Sequence, residues 1–171
     1  MPSLHDMPKP TIAMLRGAVA GAGLGLALAC DIRIASPTLK MLTAFSRVGL
    51  SGDNGGSYFL TRLVGTARAR HLYFTSPTLD AQKALELGLV TGVEADGDLE
   101  DAVRDLARAL DSGPRIALSY IKQTMNLAET ASLAEVMEVE ALRHTHCRET
   151  EDHREAATAF AEKRTPRFAG R

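Results

Sequence analysis

The residues best suited to chemistry lie in two short runs, Gly17-Ala-Val-Ala-Gly-Ala-Gly-Leu-Gly25 and Ser51-Gly-Asp-Asn-Gly-Gly56. Gly21, Ala22 and Gly23 make a loop without bulky side chains, so its backbone N–H groups can come close to a bound group. No lysine, serine or threonine follows at phosphate-loop spacing, which weakens a phosphate cradle. Amide donors at a helix start suit another task, the stabilisation of negative charge developing on a carbonyl oxygen. The competing reading is that Gly21 and Gly23 only permit tight helix–strand packing. Asp53 is the carboxylate with a chemical use. A lone carboxylate can take a proton from one carbon and return it to another. Burial beside an apolar residue such as Phe45 would strengthen it as a base. The competing reading of Asp53-Asn-Gly-Gly is an Asx turn or a helix cap.

The elements that must position these residues follow from pattern and punctuation. Residues 1–10 are polar and proline-bearing and read as a loop. The apolar run 11–15 reads as a buried strand. Residues 21–29 predict a helix of leucines, alanines and glycines with no polar face, hence buried all round. Strands are expected at 31–35 and 40–43, with Ser36-Pro37 turning between them. After the turn at 51–56, helices are predicted over 56–63 and 67–74, with a third opening at 77–80 and stopping at Gly88. The apolar run 89–93 predicts a strand, and Asp98 caps a helix to Leu110. The remainder reads as helix: 114–126, then 132–147 behind the capping box Ser132-Leu-Ala-Glu135, then a last helix capped by Thr150 and ended by Arg164-Thr-Pro. Strands thus gather in the first half, giving an α/β part at residues 1–112 and a helical region at 113–171.

Bulk composition narrows the function. The 171 residues are 45% hydrophobic and 24% charged, which excludes a disordered chain. A formal net charge of −1 and the lack of tryptophan give no support for a nucleic-acid surface. Two cysteines, Cys30 and Cys147, do not make a disulfide framework. His144, His146, Cys147 and His153 lack a strong zinc spacing, and 144 and 147 share a helix face while 146 points elsewhere, so no metal is expected. His71 reads as structural, and Arg68 and Arg70 as a solvated face. No targeting segment is evident, and the apolar run 18–29 is short of a membrane span. These features fit a soluble protein of a reducing, cytoplasmic compartment.

Several segments together resemble the enoyl-CoA hydratase/isomerase, or crotonase, family. They are Lys9-Pro-Thr-Ile-Ala-Met-Leu-Arg-Gly17, Ala20-Gly-Ala-Gly23, Leu26-Ala-Leu-Ala-Cys-Asp31, Gly49-Leu-Ser-Gly-Asp-Asn-Gly-Gly56, Leu63-Val-Gly65, Ala81-Gln-Lys-Ala-Leu-Glu-Leu-Gly-Leu-Val90, and the tail from Thr150 through Lys163-Arg164. The resemblance implies an α/β fold: a partial crotonase-like (ClpP/crotonase) spiral core with a helical C-terminal oligomerisation region. Family members carry a longer segment ahead of the Lys9-Pro10 region. It supplies the first strands and the first oxyanion donor, so this chain resembles the later half to two-thirds of the fold.

By that resemblance, the backbone N–H of Ala22 is the second oxyanion donor, and Gly21 and Gly23 let the loop close on a thioester carbonyl. The two glutamates typical of hydratases match Gly25 and Phe45, so both carboxylates are absent. Asp53 matches the acid/base of isomerase members. Phe160 and Lys163 match contacts to the adenine and phosphate of coenzyme A. Helix packing and plain solvation are the competing readings for these two. The implied activity is enoyl-CoA double-bond isomerisation in fatty acid metabolism. Alternatives are an enoyl-CoA hydratase (a lyase), decarboxylation or another thioester-enolate reaction, or a truncated non-catalytic CoA-binding or assembly protein. No cofactor is implied beyond coenzyme A as part of the acyl-CoA substrate. The implied partners are other copies, as a homotrimer or a dimer of trimers, and a separate chain supplying the N-terminal half. Turnover by this chain alone is expected to be weak or absent.

Overall fold

The structure is a computed structural model that describes residues 2–171. The chain divides into two compact units. One holds Thr11–Leu106 with the N-terminal segment ending at His5, and the other holds Asp6–Pro10 with Ala107–Arg171.

In the first unit, a one-turn helix α1 (Pro2–His5) stands where a loop was expected. Strand β1 (Ile12–Leu15) is followed by β2 (Ala18–Ala20), helix α2 (Ala22–Leu28), β3 (Ile32–Ala35) and β4 (Lys40–Leu42). A 3-10 turn (Phe45–Val48) leads to α3 (Gly56–Val64) and α4 (Thr66–Thr75), then β5 (Leu79–Asp80), α5 (Ala81–Glu86), β6 (Gly92–Val93) and the first part of α6 (Leu99–Asp111), whose residues from Ala107 on belong to the second unit. The strands form two sheets. One is parallel in the order β1-β3-β6, with Ile12 opposite Ile32. The other has the order β2-β4-β5, with β4 parallel to β2 and antiparallel to β5. Strand β2 lies in a stretch for which no strand was expected. Its small residues hide a strand signal, but Val19 pairs with Met41 and both are buried.

The core of this unit is aliphatic, centred on Leu24, Leu28, Met41, Leu60 and Leu89. Helix α2 is not buried all round: Gly23 is exposed and Leu26 is 44% exposed. The strand expected at 89–93 shortens because Leu89 serves a helix stop. Gly88 adopts φ +72°, and the Leu89 N–H donates to Ala84 O at 2.8 Å, which ends α5 in a left-handed turn. Buried Arg33 ties neighbouring segments together, donating from Nε to Leu89 O at 2.8 Å and from a guanidinium nitrogen to Cys30 O. Burial lowers its pKa from the usual value.

In the second unit, α7 (Arg115–Ala128), α8 (Leu133–Glu149) and α9 (Glu151–Ala161) follow one another. The Ser132–Glu135 capping box forms as expected, and Thr150 caps α9 by accepting from the His153 N–H at 3.1 Å. Lys122 on α7 is buried and donates from Nζ to Lys9 O at 3.0 Å. Helix α9 stops three residues before Arg164. Lys163 takes φ +55°, and the Arg164 N–H returns to Ala159 O at 3.0 Å, a Schellman stop with lysine where glycine is usual. The tail beyond folds back on α9. The buried Asp152 carboxylate accepts the N–H of Ala169 (2.6 Å) and Gly170 (3.1 Å). Glu155 accepts both terminal nitrogens of Arg164 (2.6 and 3.0 Å) and the Arg167 N–H (2.8 Å).

Among the described residues, no helix is long and apolar enough to cross a membrane.

Candidate functional site

Gly21 stands immediately before α2 at φ 54° and ψ −120°, a conformation that a Cβ makes costly. Its N–H donates to Leu42 O, and its carbonyl accepts the Gly25 N–H. The Ala22 amide is therefore the first of α2, where no intrahelical acceptor exists and the helix dipole is positive. A Cβ on Gly23 would meet nothing within 4 Å, so packing does not demand glycine there. Gly21 likewise would meet only ordinary contacts, with Phe45 Cζ at 3.7 Å and Thr43 O at 3.8 Å. Backbone angle rather than crowding requires the first glycine.

Gly25 is the reverse case. A Cβ there would lie 3.0 Å from both Asn54 Cβ and Asn54 O, and 3.3 Å from Asp53 O. The loop carrying Asp53 thus rests directly on α2, in the volume where a longer side chain at position 25 would stand. That loop is a tight turn. Asn54 (φ +53°) and Gly55 (φ +70°) are both left-handed, and the Gly56 N–H closes onto Asp53 O at 3.1 Å, the type I′ arrangement favoured by Asn-Gly. Asp53 Oδ1 accepts the Asn54 N–H at 2.6 Å, and the side chain is exposed. The carboxylate is not buried, so the condition under which an apolar neighbour would strengthen it as a base is not met in the chain alone. Asn54 breaks the run of exposed loop positions by tucking against α2, which leaves Asp53 facing outward.

Phe45 is 8% exposed. It begins a 3-10 turn between left-handed Ala44 (φ +63°) and Gly49 (φ +71°). A polar cluster holds this turn. The Ala44 N–H donates to buried Ser76 Oγ at 2.8 Å, and the Thr43 hydroxyl donates to Leu72 O at 2.9 Å. Arg47 also donates to Ser76 O. The Phe45 ring stacks parallel to Tyr73 of α4, with centroids 6.5 Å apart and planes 2° apart. Tyr73 in turn approaches Gly52 and Gly56 at the two ends of the Asp53 loop. Its phenol pKa is raised by burial. The structure therefore brings Gly21, Ala22, Gly25, Phe45 and the Asp53 loop into one neighbourhood and adds Tyr73. Sequence reasoning passed over Tyr73 because α4 gives it no distinguishing spacing. The small residues opposite it, Gly52 and Gly56, were the available sign.

Phe160 and Lys163 lie in the second unit. Phe160 is 87% exposed on α9, and Lys163 is exposed at the left-handed stop. His71 is exposed on α4. Tyr120 OH lies 2.6 Å from His146 Nδ1, while His144 and Cys147 line a groove along α7 and α8. No group of His, Cys, Asp or Glu among the described residues could hold a metal ion.

Comparison with known proteins bears on this arrangement. The family model for enoyl-CoA hydratase/isomerase matches residues 1–171. The chain belongs to the enoyl-CoA hydratase/isomerase family. It is 40% identical over 168 residues to the 1,2-epoxyphenylacetyl-CoA isomerase of Escherichia coli, covering 98% of this chain and 64% of that one. It is 34% identical over 161 residues to the short-chain-enoyl-CoA hydratase of Clostridium acetobutylicum, covering 94% and 62%. The crystal structure of an enoyl-CoA hydratase from Polaromonas sp. JS666 superposes with a TM-score of 0.93 at 36% identity, covering 97% of this chain and 65% of that one. The fold is the crotonase fold expected from the sequence, and the chain spans about 65% of the length of such relatives.

Proposed function

We propose that this chain contributes the later part of an acyl-CoA site that moves a double bond through a thioester enolate. The Ala22 N–H donates to the enolate oxygen as charge develops there, and Asp53 takes a proton from one carbon of the acyl chain and returns it to another. The observation that carries this reading is the seat of the Asp53 loop on Gly25, in the volume a hydratase glutamate would use, within the helix whose first amide is Ala22. Neither Gly25 nor Phe45 offers a carboxylate for adding water. Phe160 and Lys163 are assigned to the adenine and phosphate of coenzyme A. The same reading carries a homotrimer or dimer of trimers, a further chain or segment supplying the first oxyanion donor, and a cytoplasmic setting consistent with two free thiols.

The test is conversion of a trans-3-enoyl-CoA to its conjugated trans-2 isomer by the purified chain, followed by ultraviolet absorbance. Slow turnover is expected, falling about a hundredfold or more in kcat with Asp53→Asn while KM changes little. Turnover that survives Asp53→Asn would overturn the assignment. One observation favours a second reading. Asp53 is exposed and occupied with the Asn54 amide, as a non-catalytic acyl-CoA-binding protein would allow. Tight acyl-CoA binding without any isomerisation would select it.

A further inference from the structure

Tyr73 presents a hydroxyl to which no described residue is hydrogen-bonded. Its one ring contact among the described residues is with Phe45. No fully buried side-chain nitrogen or oxygen among those residues lacks a partner. The Tyr73 hydroxyl therefore keeps access to solvent although the residue is half-buried.

Its location is specific. A Cβ on Gly56 would lie 2.7 Å from this oxygen, so the phenol could keep its place only against glycine or would have to shift. On Gly52, a Cβ would lie 3.6 Å from Tyr73 Cε1 and 3.9 Å from the hydroxyl. The phenol thus reaches both ends of the Asp53 loop. Its ring continues the apolar wall of Phe45, which touches Gly21 before the Ala22 amide. Along the Phe45–Tyr73 ring surface, the Tyr73 hydroxyl is the polar atom the rings themselves present.

We propose that the Tyr73 hydroxyl is a specificity-determining hydrogen-bond donor for an acyl group that carries an oxygen of its own, a hydroxyl, keto or epoxide oxygen. This rests on the acyl-CoA reading above. The physical reason is asymmetric. A plain hydrocarbon chain covers the donor and leaves it without a partner, whereas an oxygenated chain satisfies it. Burial also keeps the phenol in its protonated, donating form through neutral pH.

The experiment is calorimetric binding of hexanoyl-CoA and of its four isomers with one hydroxyl at C3, C4, C5 or C6, to the whole chain and to Tyr73→Phe. At least one hydroxylated isomer is expected to bind roughly tenfold tighter than hexanoyl-CoA. Tyr73→Phe keeps the ring against Phe45 and should reduce that preference to within about threefold, with hexanoyl-CoA affinity little changed. A purely structural role would move both ligands together. Absence of any preference in the unsubstituted chain, or a preference that survives Tyr73→Phe, overturns the inference alone. Failure of the unsubstituted chain to bind any of these thioesters overturns the acyl-CoA reading and the inference with it.

Discussion

Replacing Gly25 by alanine separates two effects that usually travel together. In a helix interior, alanine is favoured over glycine by about 1 kcal/mol, because it loses less backbone freedom on folding. At position 25 the new methyl meets backbone and Cβ of Asn54 at 3.0 Å and Asp53 O at 3.3 Å. Those atoms belong to a closed turn fixed by the Asp53–Gly56 hydrogen bond and cannot rotate aside as a flexible side chain would. Overpacking of this sort costs about 1–3 kcal/mol. The expected net effect is destabilisation by about 1 kcal/mol, and for a chain of this length a drop in Tm of about 2–4 °C. Gly23→Ala is the internal comparison. It lies in the same helix, where a methyl meets nothing within 4 Å, so Tm should hold or rise. Thermal unfolding followed by circular dichroism checks both. If Gly25→Ala raises Tm as Gly23→Ala does, the Asp53 loop yields freely and the argument that it is seated on α2 fails.

Lys163→Gly should raise Tm, by about 0.5–1 kcal/mol of stability, because glycine takes the left-handed angle without the Cβ penalty. Under the coenzyme A assignment, the same variant should bind CoA more weakly in a calorimetric titration; a fall in Tm would refute the strain argument. Glu155 has its pKa lowered to about 2, first by the Arg164 side chain and then by the Arg167 N–H. Since the folded value lies below the unfolded one of about 4.3, its contribution is full above that unfolded value and fades as pH falls toward about 2. The stability gap between the natural chain and Glu155→Gln should therefore be flat near neutrality and close over that acid window, as read from urea melts at stepped pH.

Much of the framework was legible because it rests on local chemistry. Ser132-x-x-Glu135 and Thr150 announce helix starts through side-chain oxygens that meet free amides. The run Asp53-Asn-Gly-Gly announces its turn because Asn and Gly tolerate positive φ. What the sequence hid depends on neighbours distant in the chain. Val19 becomes a strand residue only through pairing with Met41. Lys163 carries no sign that it must be left-handed, since glycine is the usual marker. The exposure of Asp53 follows from Asn54 packing on Gly25, a contact between segments roughly a helix and two strands apart. Tyr73 gained meaning only when two glycines far from it in sequence proved to be its neighbours.

Helix α8 is seventeen residues long, none of them buried, and Leu133, Met137 and Leu142 are well exposed. It is joined to α7 by directional bonds: Arg143 reaches Thr124 and Gln123, its guanidinium carbon stands 5.6 Å from the Tyr120 ring centre, and Tyr120 meets His146. Such bonds set the register of one helix against another more firmly than they resist its departure. On the clock of spontaneous opening, α8 belongs among the early events. A protease acting on the chain by itself is expected to cut between Leu133 and Glu149 while the sheets of the first unit are still closed.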